Sequence, residues 1–146
     1  MTDAWLEELD VDQCVDLLRH ARVGRLASVV DGFPVVVPVN YRLVDGSVPW
    51  IVVRTRPGGV IEQGFTHVGF EIDGIDAYRQ DGWSVLVRGT LRRLTGADAT
   101  SRDDVDPAPW LEADRDAWLA IEPLTITGRR LHGAHAEWVF HAAAYL

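Results

Sequence analysis

Between His67 and Ile75, Val68, Phe70 and Ile72 alternate with Gly69, Glu71 and Asp73, the period-two pattern of a strand with one buried face. Upstream, from Val23 to Thr55, three β-branched runs are cut by two Asp-Gly pairs, Asp31-Gly32 and Asp45-Gly46. Asp-Gly readily supplies the positive φ values of tight hairpins, so this stretch is predicted to be a three-stranded antiparallel meander. Its middle run carries Pro34 and Pro38. Proline cannot donate to a sheet ladder, so part of that strand is expected to be an edge, a bulge or an opening where a ligand can approach backbone.

The remaining elements follow from the same reading. Asp10 is placed as the N-cap of a helix ending near His20, with Leu9, Cys14, Leu17 and Leu18 at helical spacing and the N-terminal helical segment assigned to residues 1–22. Trp5 and Leu6 are read as a hydrophobic staple or an earlier turn. After Thr55, Arg56-Pro57-Gly58-Gly59 forms a tight loop leading into a short helix from Val60 to Phe65. Gly82 to Thr95 is a long strand in which Gly89 marks a bulge or a close backbone contact. Residues 97–113 form an acidic surface excursion with a helical turn or two. Ala117 to Leu131 is a strand interrupted at Pro123, and the tail, 132–146, contains a short β-like Trp138-Val139-Phe140. The tally is six strands in hairpin order with flanking helices: a mainly β chain, 1–146 a single domain, built as a small closed or split antiparallel barrel.

Composition narrows the chemistry. The 146 residues are 47% hydrophobic, enough for one sizeable core, and no apolar run is long enough for a membrane helix. The acidic N-terminal stretch lacks a signal-peptide pattern, so a cytoplasmic protein is expected. A net charge of −8 argues against nucleic-acid or anionic-membrane partners. All fourteen basic residues are arginine. Without lysine there is no Schiff-base catalysis with pyridoxal phosphate and no Walker lysine, so any phosphate must be held by arginine, hydroxyls and backbone N–H groups. Cys14 stands alone and is expected on the buried face of the helix.

Arg54-Thr55, the glycine loop and the start of the next helix together make a geometry suited to an anion. His132, His135, Glu137 and His141 have spacing that could be read as metal-ligating, but Gly133 and the β-like run argue against a helix there, and no metal is expected. Glu71 and Asp73 are read as a solvated polar strand face, and Arg19, His20 and Arg22 as charges complementing the helix C-terminus.

Several fragments in order, Gly24-Arg-Leu-Ala, Phe33-Pro34, Pro38-Val-Asn-Tyr41, Arg54-Thr-Arg-Pro-Gly58, Phe70-Glu-Ile-Asp73, Gly82-Trp-Ser-Val-Leu-Val-Arg-Gly89 and Ile126-Thr-Gly-Arg-Arg-Leu131, resemble the pyridoxamine 5′-phosphate oxidase-like, FMN-binding split-barrel proteins, in particular their actinobacterial flavin/deazaflavin branch. The resemblance covers roughly Val11 to Leu131. It implies a six-stranded split barrel, a homodimer with the cofactor at the interface, and an FMN-dependent oxidoreductase acting on a small molecule. Alternatives are an F420-dependent reductase and a non-enzymatic or cofactor-free relative. It further implies that Val37, Pro38, Val39 and Asn40 line the isoalloxazine and that Arg54, Thr55, Arg56 and Gly59 hold the phosphate. Trp83 is placed near the cofactor or the dimer seam, and Arg130, with Arg129, reaches the partner's site. One departure stands out. The family's loop commonly carries a lysine where this chain has Val60, which removes a point charge and several donors from the phosphate end.

Overall fold

The computed structural model describes residues 3–64, 66–94, 106–110 and 117–134, with Val60 and Gln63 by backbone alone. Among these residues, seven strands and one helix run in the order β1 (Trp5–Leu9), α1 (Val11–His20), β2 (Val23–Val30), β3 (Phe33–Val44), β4 (Trp50–Thr55), β5 (His67–Asp76), β6 (Asp81–Arg93) and β7 (Ala117–His132), with a 3₁₀ turn at Val60–Gln63. All pairings are antiparallel. The strand order β7-β4-β3-β2-β5-β6 returns to β7, which closes a six-stranded ring, and β1 is added on the outside of β7. Along one edge β7 pairs with β6 from Leu119 to Leu131. Along the other it pairs first with β4, through Ala117–Ile121, and then with β1, through Gly128–His132.

The meander forms as the Asp-Gly pairs predict, by two different routes. Asp31 and Gly32 have φ of 51° and 78°, the doubly left-handed geometry that joins β2 to β3 in two residues. Asp45-Gly46 instead opens a wider loop, 45–49, in which no residue has positive φ. Gly89 does face backbone closely: a Cβ there would strike the Glu122 carbonyl, and the β6–β7 register shifts at Arg88/Gly89, where Pro123 and Thr125 flank an extra residue. β7 therefore runs through Pro123 as a bulged strand rather than stopping there.

Two expectations are corrected. Trp5 and Leu6 lie in β1 rather than in a staple or turn, so the helical segment assigned to 1–22 is a strand followed by a helix confined to Val11–His20. The six strands expected of the barrel form the ring, and β1 is a further strand outside it among the described residues. The element expected after the glycine loop is a four-residue 3₁₀ turn. The excursion 97–113 lies outside the described residues except for 106–110, as does the β-like run in the tail.

The interior is filled by alternate residues of the ring, including Leu26, Tyr41, Ile51, Phe70, Ile72, Val85, Val87 and Ile121, all at most 1% exposed. Helix α1 is capped as predicted: Asp10 accepts from the Gln13 N–H at 2.8 Å, and the Gln13 side chain accepts from the Asp10 N–H at 2.9 Å. Its buried Cys14 and Leu18 join this core, and a Cβ at Gly128 of β7 would sit 2.5 Å from Cys14 Sγ, which fixes how closely the helix lies on the strand. Tyr41 of β3 ties the other end, donating its hydroxyl to the Leu18 carbonyl at 2.5 Å. Carbonyls in a last helical turn lack intrahelical partners, so this bond satisfies one that burial would otherwise strand. Burial pushes the Tyr41 hydroxyl pKa well above the ordinary phenol range, keeping it a neutral donor. Tyr41→Phe leaves that carbonyl unpaired and is expected to cost about 1–3 kcal/mol in urea unfolding, with the native circular dichroism retained.

Candidate functional site

The meander splits where its ladder changes partner. β4 pairs with β3 only from Trp50 to Val53, against Tyr41–Val44. Beyond that point Arg54 and Thr55 pair with Trp118 and Ala117 of β7, while β3 from Phe33 to Asn40 pairs with β2 alone. The free edge of β3 and the end of β4 thus diverge. Tyr41 N–H donates toward the β2 side, to the Arg22 carbonyl at 3.1 Å. Successive N–H groups of a strand point in opposite directions, so positions 34 and 38 face the open edge. Both prolines sit there without costing a ladder bond, and they blunt the edge against pairing with another strand.

The divergence encloses a groove of about 610 Å³, lined by Val37–Asn40 of β3, Arg54 and Thr55 of β4, Arg56 and Gly59 of the loop, and by Val23, Ile61, Pro109 and Trp110. Its volume lies within the range of small-molecule and cofactor sites. The wall is apolar along β2, β3 and Ile61, and the cations lie at the β4 end. The loop turns sharply on its glycines: Gly58 has φ of 68°, and a Cβ on Gly59 would come within 2.9 Å of the Arg56 carbonyl.

The polar end is already engaged. Arg54 Nη1 lies 3.1 and 3.2 Å from the two carboxylate oxygens of Asp106, and its guanidinium sits over the Trp118 ring at 4.9 Å. Gly58 N–H donates to Glu62 Oε2 at 2.9 Å, and Glu62 Oε1 lies 3.5 Å from Arg93 Nη1. Asn40 Oδ1 accepts the Trp110 N–H at 3.0 Å. Arg56 is exposed. The 3₁₀ turn is too short to add a helix dipole, so the anion geometry read from sequence reduces to arginines, the Thr55 hydroxyl and loop N–H groups.

Residues 10–130 match the pyridoxamine 5′-phosphate oxidase family. The chain belongs to that family. It is 31% identical over 131 residues to the uncharacterised protein Rv0080 of Mycobacterium tuberculosis, spanning 85% of this chain and 84% of that one. Among solved structures it is similar to the FAD-binding protein of Mycobacterium smegmatis (26% identity, TM-score 0.65, covering 86% of this chain and 98% of that one) and to an FAD-binding protein of Mesorhizobium loti (25%, 0.70, 88% and 98%). The closed ring of strands is the split barrel of these relatives.

Against that family frame, the structure brings together Val37–Asn40, Arg54–Arg56 and Gly59, and leaves the other two expected residues apart. Trp83 and Arg130 are cross-strand partners on β6 and β7, and neither lines the groove. Trp83 borders a second, largely apolar cavity of about 460 Å³ with Leu6, Ile75, Arg129 and Leu131. Arg130 is exposed, opposite Glu7 of β1. Val23, Ile61, Asp106 and Trp110 were not read from sequence as site residues. The Asp-Pro-Ala-Pro-Trp run has no periodicity, and its place depends on contacts with Arg54 and Asn40 far away in the chain.

The other titratable groups among the described residues stay outside the groove's lining. Arg25 Nη1 and Nη2 bind Glu71 and Asp73 at 3.1 and 3.2 Å on the β2–β5 face. Burial, then the Asp73 charge, push the Glu71 carboxyl up, against the pull of Arg25. Among the described residues no group of three or more potential ligands gathers for a metal. His132 binds Glu7 at 2.7 Å and stacks on Trp5 at 4.0 Å, while His135, Glu137 and His141 lie outside the described residues. No helix among the described residues is long and apolar enough to cross a membrane.

Proposed function

We propose that this protein binds a flavin in the groove between β3 and β4 and works as an FMN-dependent oxidoreductase on a small molecule. The supporting observation is the convergence of Val37–Asn40 with Arg54–Gly59 on one groove, apolar along the strand and cationic at its end. The free edge of β3 would hold the ring system. Arg54, Thr55, Arg56 and the Gly59 loop would hold the phosphate. A bound flavin supplies hydride transfer through its N5, and the protein contributes binding, orientation and exclusion of water. No side chain need then act as acid or base, in keeping with the absence of an acid–base cluster among the groove's described residues.

The working unit in this reading is a cytoplasmic homodimer of single-domain subunits. Trp83 and Arg130 contribute from the partner, and neither nucleic acid nor membrane is a partner. FAD is the second reading, favoured by the FAD-binding relatives from Mycobacterium smegmatis and Mesorhizobium loti.

Titration of FMN, FAD and F420 into the purified protein, followed by absorbance and fluorescence, tests the assignment. FMN is expected to bind most tightly. Tighter binding of FAD or F420 replaces FMN by that cofactor. Failure of all three at about 1 mM, roughly −4 kcal/mol of binding free energy, sinks the flavin reading and leaves a cofactor-free relative.

A further inference from the structure

We infer that Asp106 is a tethered anion occupying the phosphate position of the groove, so that a phosphate-bearing ligand must displace it from Arg54. The inference rests on the reading of Arg54 as the phosphate residue. Both carboxylate oxygens of Asp106 face the same Arg54 nitrogen at 3.1 and 3.2 Å. The pair is partly shielded, with side-chain exposures of 17% for Arg54 and 31% for Asp106, so water screens it less than it would a surface pair. A carboxylate so placed offers the guanidinium what a phosphate offers: negative oxygens at hydrogen-bonding distance. Two anions gathered at one guanidinium repel each other, so an incoming phosphate gains from Arg54 only to the extent that Asp106 leaves.

The segment carrying Asp106 is built as a strap across the groove. Asp106 Oδ1 also accepts the Ala108 N–H at 2.9 Å, folding the strap back on itself. Ala108, between Pro107 and Pro109, has φ of 48°, a left-handed conformation that a residue with a Cβ adopts at a cost. The far end is tied by Trp110 N–H to Asn40, and Trp110 and Pro109 form part of the groove wall. The two ties fall on Arg54 and Asn40, the side chains assigned to opposite ends of the ligand. Phosphate entry is therefore coupled to release of the strap, whereas a ligand without phosphate leaves the Arg54 tie in place. Asp106 becomes a specificity determinant: it lowers the preference of the groove for FMN over riboflavin.

Asp106→Asn keeps the shape and the acceptor for Ala108 but removes the charge. FMN is expected to bind about tenfold tighter to this variant, the equivalent of one charge-assisted contact regained, with riboflavin changed less than about twofold. Asp106→Ala serves as the second variant should the amide disturb folding. Glu122→Gln, which removes a carboxylate paired with Arg92 outside the groove, controls for net charge and is expected to change neither ligand. Unchanged or weaker FMN binding in both Asp106 variants overturns the inference, the weaker result making Asp106 a support for Arg54 rather than its competitor. Thermal shift with inorganic phosphate, against sodium chloride at equal ionic strength, reads the same exchange without a flavin. Phosphate is expected to stabilise Asp106→Asn more than the parent, and equal shifts overturn the inference. Absence of FMN and riboflavin binding in every form, with the phosphate difference retained, sinks the flavin reading alone.

Discussion

Arg54→Ala is expected to weaken FMN binding by about one to two decades while leaving riboflavin nearly unchanged, because a charge-assisted hydrogen bond contributes about 1.5–3 kcal/mol and only FMN carries the phosphate. Two features make Arg54 the decisive position. It is the first β4 residue beyond the β3 pairing, so its side chain stands at the mouth of the split. Its guanidinium is held against Trp118, which limits the rotamer freedom lost on binding. With position 60 a valine, no lysine stands in the loop to take over. The substitution also leaves Asp106 without this cation, so the groove turns repulsive to phosphate rather than merely neutral. Isothermal titration with the two ligands separates the cases: equal losses for FMN and riboflavin mean that the groove has deformed, and the phosphate role falls. Arg54→Lys is expected to lie between, since an ammonium keeps the charge and loses the fork.

Phe70→Ala is expected to destabilise the fold by about 3–5 kcal/mol, the range for deleting a buried aromatic side chain. Phe70 is fully buried at the centre of the ring and meets Tyr41 edge-on, with ring centroids 4.9 Å apart. Its ring fills the space above Gly24, where a Cβ would lie 2.7 Å from Phe70 Cε2. That close fit explains why β2 carries glycine at this position and means that truncation leaves a hole lined on one side by backbone. Against the ~5–15 kcal/mol that holds a typical domain together, such a loss removes a large part of the stability. Urea unfolding followed by tryptophan fluorescence is expected to show a lower midpoint with an unchanged slope. A cost below about 1 kcal/mol contradicts the central place given to this ring.

The sequence made some of this visible and hid the rest for physical reasons. Turn chemistry is local, so Asp31-Gly32 announced its hairpin, and Val68, Phe70 and Ile72 announced a strand with one buried face. Pro34 and Pro38 pointed to the open edge because a missing N–H restricts where a strand can be placed. β1 gave no such signal. Only Leu9 among its five residues is buried, and what makes it a strand is pairing with residues near position 130, which no window of the sequence contains. The groove wall was legible through Val37–Asn40 and Arg54–Gly59. The strap was not, since Arg54 and Asp106 are 52 residues apart and no spacing links them. Trp83 and Arg130 came from family resemblance, and neither lines the groove: Trp83 borders a different cavity of the same chain, and Arg130 is exposed on β7.

The position of β7 sets the order of events during synthesis. It is the last of the described strands, yet it pairs with β1, β4 and β6. Until it leaves the ribosome, β4 and β6 both carry unpaired edges, and β1 has no strand to join. The hairpins β2–β3 and β5–β6 form from near neighbours, but closure waits for β7 to pair with both β4 and β6, and its pairing with β1 joins the described strands most distant in sequence, the slowest to find. A ribosome stall upstream of Ala117 would therefore expose an open sheet prone to pairing with other chains.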